Sequence, residues 1–246
     1  MAFPSLRFRR NFRLVLGCLL LASGAFGTVY AFQATLGQRT YLRAKYGFFR
    51  GTPLEVPRPT NAVDVVRLAR SGMSRYAYNY YLPAYAASAC LEGAVSAYEE
   101  MEAFEQMDDV DALLAGLTPA EAAARRDRQA ALCSDLIGNA VYFSREAVAL
   151  NPYDEEARQA RAFSLLSNEQ TAEAVEFWRP IVEREYWVPR HHDVWAQILL
   201  AEGSPESLAL ASREWFLVQD ADLKRELQRL DRQLKASGKG GSTKGN

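Results

Sequence analysis

Few side chains in this sequence are spaced for chemistry, and those few suggest crosslinking and surface contact more than turnover. Cys90 and Cys133 lie 22 and 21 residues either side of position 112. If residues 75–150 fold as an antiparallel hairpin about that point, the thiols stand at similar height, and an oxidising compartment would join them. The alternative is two small buried apolar side chains. His191 and His192 are the only histidines. Adjacent helical residues point in different directions, so the pair is badly placed to share a metal, and none is expected. The acids from Glu99 to Asp111 lack the loop glycine and terminal glutamate of a calcium hand and read as a solvated face. Tyr76, Tyr78, Tyr80, Tyr81 and Tyr85 place five of twelve tyrosines within ten residues, too many for one helical face. Some must meet a partner or a headgroup layer, or simply direct their hydroxyls to water; Tyr78 and Tyr81 are the candidates for contact.

No phosphate-cradling glycine loop, serine elbow or cysteine with a separated histidine partner occurs, and the carboxylates are too numerous to mark a catalytic pair. No catalytic residue, cofactor or small-molecule substrate is therefore assigned, and an envelope enzyme with an unfamiliar site is kept as a rival reading.

The elements that would carry such contacts begin with a basic, apolar N-terminus. Residues 1–50 hold eight of the 29 basic residues and no acid, so the remaining 21 face all 30 acids. The body is acidic and would repel a phosphate backbone; no nucleic acid is expected. Leu14 to Phe32 is nineteen residues without a charge, close to the length of helix that spans hydrocarbon about 30 Å thick. Arg7, Arg9, Arg10 and Arg13 precede it, favouring a cytoplasmic N-terminus. Small residues at Ser23-Gly24-Ala25 suit a cleaved export signal, while the apolar run through Phe32 favours a retained anchor. A bacterial inner membrane crossed once, with the C-terminal domain in the periplasm, is the expectation.

Residues 1–50 thus form the basic terminus, membrane helix and juxtamembrane segment, and 51–60, rich in proline, a linker. Residues 61–235 should be an α-helical domain and 236–246 a flexible tail. A short helix over 61–70 would turn Val63, Val66 and Leu68 inward and end at Gly72. A longer one over about 75–107 carries Ala87, Cys90, Ala94, Ala97, Met101 and Phe104 at helical spacing. Thr118-Pro119-Ala120-Glu121 has the residues of a capping box and starts a helix that runs to about 150. Helical pairs over 154–167 with 170–184, and 191–202 with 205–219, follow, then a charged helix over 223–235. No segment alternates strictly, so strands are not needed.

The two pairs repeat. Pro152, Ala172, Ala174, Trp178 and Ile181 recur 37 residues on as Pro189, Ala209, Ala211, Trp215 and Val218. On these residues the chain resembles the tetratricopeptide (TPR) repeats, helical hairpins of about 34 residues whose second helix carries an alanine, an aromatic four later and an apolar residue three further. Ala140, Ser144, Ala147 and Pro152 form a degenerate earlier copy. In the first helix Trp195 and Ile198 fit, whereas Arg158 and Arg161 stand at the equivalent earlier positions. The resemblance covers about residues 118–219 and implies an all-α, TPR-like solenoid behind a single transmembrane helix. It also implies that Trp178 and Trp215 are core and that Gln159, Phe163, Asp193 and Ala196 line a groove for a protein partner. The expected function is a membrane-anchored scaffold or assembly factor of the cell envelope, with an integral small subunit of a larger membrane complex as the alternative.

Overall fold

The computed structural model describes Tyr41, residues 61–75, 79–108, Asp111 and 114–240. Tyr78, the linker 51–60 and the stretch 14–32 lie outside the described residues. Among the described residues the fold is all-α, with eight helices and no strand. They are α1 (Ala62–Arg75), α2 (Tyr81–Glu105), α3 (Pro119–Leu150), α4 (Glu155–Ser167), α5 (Thr171–Arg184), α6 (Pro189–Glu202), α7 (Pro205–Glu214) and α8 (Ala221–Gly240). None is long and apolar enough to cross a membrane.

Local sequence explains most of the boundaries. Thr118 accepts a hydrogen bond from the Glu121 amide, and the Glu121 carboxylate accepts from the Thr118 amide, closing the capping box that starts α3. Asp154 and Ser204 cap α4 and α7 through the amides of Ala157 and Ser207. The αL conformation of Gly203, at φ 69°, ends α6. The helix expected from about 75 starts at Tyr81, where the buried Asn79 side chain accepts the Leu82 amide. α1 does not stop at Gly72 but continues to Arg75. Val66 and Leu68 pack against the core as expected, beside Ala62, Val65, Ala69 and Gly72, whereas Val63 is turned out. The charged helix expected over 223–235 is longer than that, running from Ala221 to Gly240.

Consecutive helices pack as neighbours, and α4 also touches both α2 and α6. One core joins α1, α2 and α3 through Val65, Ala86, Ala87, Cys90, Leu136 and Phe143, with Ala160 reaching in from α4. A second joins α4 to α8 around Trp178. Trp178 has no exposed surface and donates its indole N–H to the His191 carbonyl at 3.1 Å. Trp215 differs from the expectation of an enclosed indole: α7 ends at Glu214, so the ring sits on the rim of this core, half-buried.

The arginines that depart from the repeat pattern are held in different ways. Arg158 is buried without reaching water: its guanidinium meets the Glu185 carboxylate at 2.9 Å and the Pro152 carbonyl at 2.6 Å. Arg161 donates to the Val141 carbonyl at 3.2 Å, and its partial burial works against its charge. A core slot thus takes an arginine where an acid and free carbonyls meet it.

Candidate functional site

α2 and α4 are brought close by small residues, Ala94 on α2 and Ala160 on α4. Beside that contact the longer side chains leave a trough, with Leu91 and Glu92 of α2 and Phe163 of α4 lining both of its halves. One half, of about 490 Å³, is apolar: Val95 and Tyr98 from α2 and Cys133 and Ile137 from α3 form its wall. Val95 and Tyr98 are 57% and 48% exposed, unusual for apolar side chains that have a core one turn away. The other half, of about 660 Å³, is polar and is bordered by Glu92, Asp154, Glu155, Glu156, Gln159 and Arg190.

The charges there are unevenly satisfied. Asp154 is committed to its cap, and Glu155 takes the Gln159 amide at 3.0 Å and faces Arg190 at 3.6 Å. Glu92 and Glu156 are exposed and pair with no described residue. This half therefore presents negative charge a short way from an apolar pocket. A polypeptide segment with a cationic and an apolar side chain a few residues apart is complementary to it. In the apolar half the Tyr98 hydroxyl donates to Glu102 at 2.9 Å, which holds the phenol above its ordinary range and keeps it protonated.

The expected site residues separate. Gln159 and Phe163 line the trough. Asp193 instead accepts the Gln219 and Asp220 amides at 2.8 and 3.4 Å and fastens the turn into α8. Ala196 has no exposed surface and belongs to the second core, because α6 lies under α4, α5 and α7 and has little free face. Tyr81 is at the start of α2, its ring 4.0 Å from Tyr80 and 5.5 Å from Tyr41.

Cys90 and Cys133 are unbonded. The hairpin of α2 and α3 has a different register from the one expected: Glu100 meets Gln129, and Gly93 meets Leu136. The midpoint is therefore beyond residue 114 instead of at 112, and Cys133 is level with residue 96. Six helical residues are about 9 Å of axial offset from Cys90, past the reach of a disulfide. Burial pushes the Cys90 thiol up to about 12, so it is a packing group and not a nucleophile.

Leu91, Val95 and Tyr98 were not among the expected site residues. Their spacing of four and three is a second apolar stripe on α2, beside the stripe of alanines, and one helix with two stripes has two surfaces to cover. Among the described residues no three His, Cys, Asp or Glu side chains are grouped to hold a metal. No protein-family model, curated protein or solved structure matches this chain.

Proposed function

We propose that the protein is a membrane-tethered docking module, anchored by residues 14–32 in a bacterial inner membrane and holding a segment of another envelope protein in the trough between α2 and α4. The observation that carries this reading is the trough itself, an apolar pocket with exposed Val95 and Tyr98 that opens onto unpaired acids at Glu92 and Glu156. The order of neighbours supports a TPR-like stack: hairpins α2–α3, α4–α5 and α6–α7 follow one another, and their first helices touch from α2 to α4 to α6. The burial of Ala174, Trp178 and Ala211 is what such a stack asks of those positions. A scaffold or assembly factor fits this design, since an open trough grips a segment without enclosing it.

A photoreactive amino acid placed in cells at Val95 or Phe163 tests the reading, with Glu183 on α5 as the control. One discrete adduct at the first two positions, absent at Glu183 and lost when Glu92 and Glu156 are changed to lysine, is the expected result. Equal labelling at all three positions would remove the trough from consideration. A phosphatase reporter joined after Asn246 addresses orientation: activity outside the cytoplasm is expected, and activity confined to the cytoplasm contradicts the periplasmic placement.

A further inference from the structure

Aromatic side chains are exposed at one end of the helical stack and not at the other. The turns that join one hairpin to the next, between α3 and α4, α5 and α6, and α7 and α8, carry Tyr153, Tyr186, Trp187 and Phe216, each between 61% and 74% exposed. The turns inside the hairpins are made of other residues: 106–118 has no ring, 168–170 is Asn-Glu-Gln, and 203–204 is Gly-Ser. A run of polar contacts ties the aromatic turns together. The Tyr153 ring lies 5.6 Å from the Arg158 guanidinium, and Arg158 holds Glu185. The His192 ring spans from the Tyr186 carbonyl at 2.8 Å to Glu214 at 2.6 Å, next to Trp215 and Phe216. Tyr80, before α2, interacts with the Asn151 side chain at the same end.

Tyr41 lies at this end too. Tyr41 packs on Tyr81 and, edge to face at 6.1 Å, on Tyr85. It is nine positions on from Phe32, the end of the uncharged stretch that begins at Leu14. Nine residues reach about 14 Å as helix and about 30 Å when extended, so an anchored chain keeps this end within that distance of the hydrocarbon. Tyrosine and tryptophan are the side chains whose free energy is lowest in the headgroup layer, with the ring among acyl carbons and the polar tip in water.

We propose that this end of the stack, through Tyr153, Tyr186, Trp187 and Phe216, rests in the headgroup layer of the bilayer that anchors the chain, so that α2 and α4 stand over the membrane in a fixed orientation. The occupant is lipid, and since the body is acidic the contact works through rings rather than through attraction to anionic headgroups. The inference rests on the membrane anchor proposed above, and its test separates the two.

The full chain is incorporated into vesicles of phosphatidylcholine and phosphatidylglycerol whose acyl chains are brominated close to the headgroup, and tryptophan emission is compared with that in unbrominated vesicles. Trp178 and Trp195 are buried and Trp215 is half-buried, so Trp187 is the most exposed of the four indoles, and the part of the quenching that Trp187→Phe removes reports on it. Quenching that falls at least twofold in Trp187→Phe is expected, and Tyr153→Ser with Phe216→Ser should weaken it in the wild-type background. Alkaline carbonate extraction of the same chain from cell membranes tests the anchor. Retention without Trp187 quenching overturns the resting edge and leaves the anchor standing. Extraction, with quenching still seen when the chain is added to preformed vesicles, overturns the anchor and supports the edge. If Trp187 is shielded from acrylamide in native membranes but is not quenched by brominated lipid, protein covers this end and the proposal fails.

Discussion

The two cores solve the same problem, packing helix on helix, with opposite materials. In the first, alanines dominate: Ala69, Ala86, Ala87, Ala94 and Ala140 bring α1, α2 and α3 together around one large ring, Phe143. The approach is so close that a Cβ on Gly93 would stand 2.6 Å from the Cβ of Ala62. In the second, an indole fills the centre and polar groups reach inside: Trp178 bonds the His191 carbonyl, Arg158 pairs with Glu185, and His192 meets Glu214. The first core is specified by distance of approach and the second by satisfaction of buried polar groups. Added bulk should therefore injure one half, while removal of a partner should injure the other.

The largest effect is expected from Trp178→Ala, which empties the centre of the second core and frees a buried carbonyl. A loss of about 4 kcal/mol in denaturant unfolding is expected, of the order found for large aromatic truncations. Trp178→Phe keeps a ring but drops the indole N–H and should cost less than half as much. If Trp178→Phe were as stable as the unaltered chain, shape and not satisfaction would govern this half as well.

Next comes Glu185→Ala, which leaves the Arg158 charge buried with no acid paired to it, against the Pro152 carbonyl and the Tyr153 ring. Because Glu185 is about a quarter exposed, the cost should be about 2–3 kcal/mol, below that of a fully enclosed pair. Arg158→Met in the same chain should restore most of it. A double-mutant cycle without coupling would show that the pair is incidental. In the first half, Gly93→Val should cost about 2 kcal/mol by overpacking. The Leu136 methyl, 3.2 Å from the built Cβ, can swing away, but the Ala62 Cβ cannot, so α1 must shift. Ala62→Gly in the Gly93→Val background should return much of the loss; no rescue would mean that α1 does not lie as close as described.

What was legible in the sequence follows the same division. Helix starts with a chemical signature, such as Thr118-Pro119-Ala120-Glu121, were readable because the cap is local and needs no knowledge of neighbours. The alanine stripe of α2 was readable from its spacing, and the burial of Trp178 from the repeat resemblance, which placed Trp215 too deep. Register was not: the place of Cys133 against Cys90 depends on how α2 and α3 slide past one another, and Gly93 against Ala62 and Leu136 fixes that slide. Nor was the role of Arg158, since its partner Glu185 is 27 residues away and an isolated arginine at an apolar repeat position looks like a defect. Of the groove residues transferred by repeat position, Gln159 and Phe163 line the trough, while Ala196 is buried because its face of α6 belongs to the second core.

The smallest effect, a change of stability with pH, should also fall on one half only, because both histidines of the chain are in the second core. His191 is nearly inaccessible, its ring edge-on to Trp178 at 5.6 Å, and its Nδ1 has no hydrogen-bond partner. Burial disfavours the imidazolium and holds His191 below its ordinary 6.5; Glu185, 3.5 Å away, and Glu155 oppose this, while Arg158 and His192 reinforce it. With the folded value below the unfolded one, the unfolded chain binds more protons between the two. Stability is therefore greatest above pH 6.5 and falls as pH drops through that window towards the folded value. Amide exchange in α5 and α6 should accelerate between pH 7 and 5.5, after correction for intrinsic rates, while exchange in α2 and α3 should not. His191→Phe should flatten the dependence in α5 and α6. An unchanged slope in that variant would show that His191 does not set it, and an equal slope in α2 would show that the two cores unfold as one unit and share what only one of them senses.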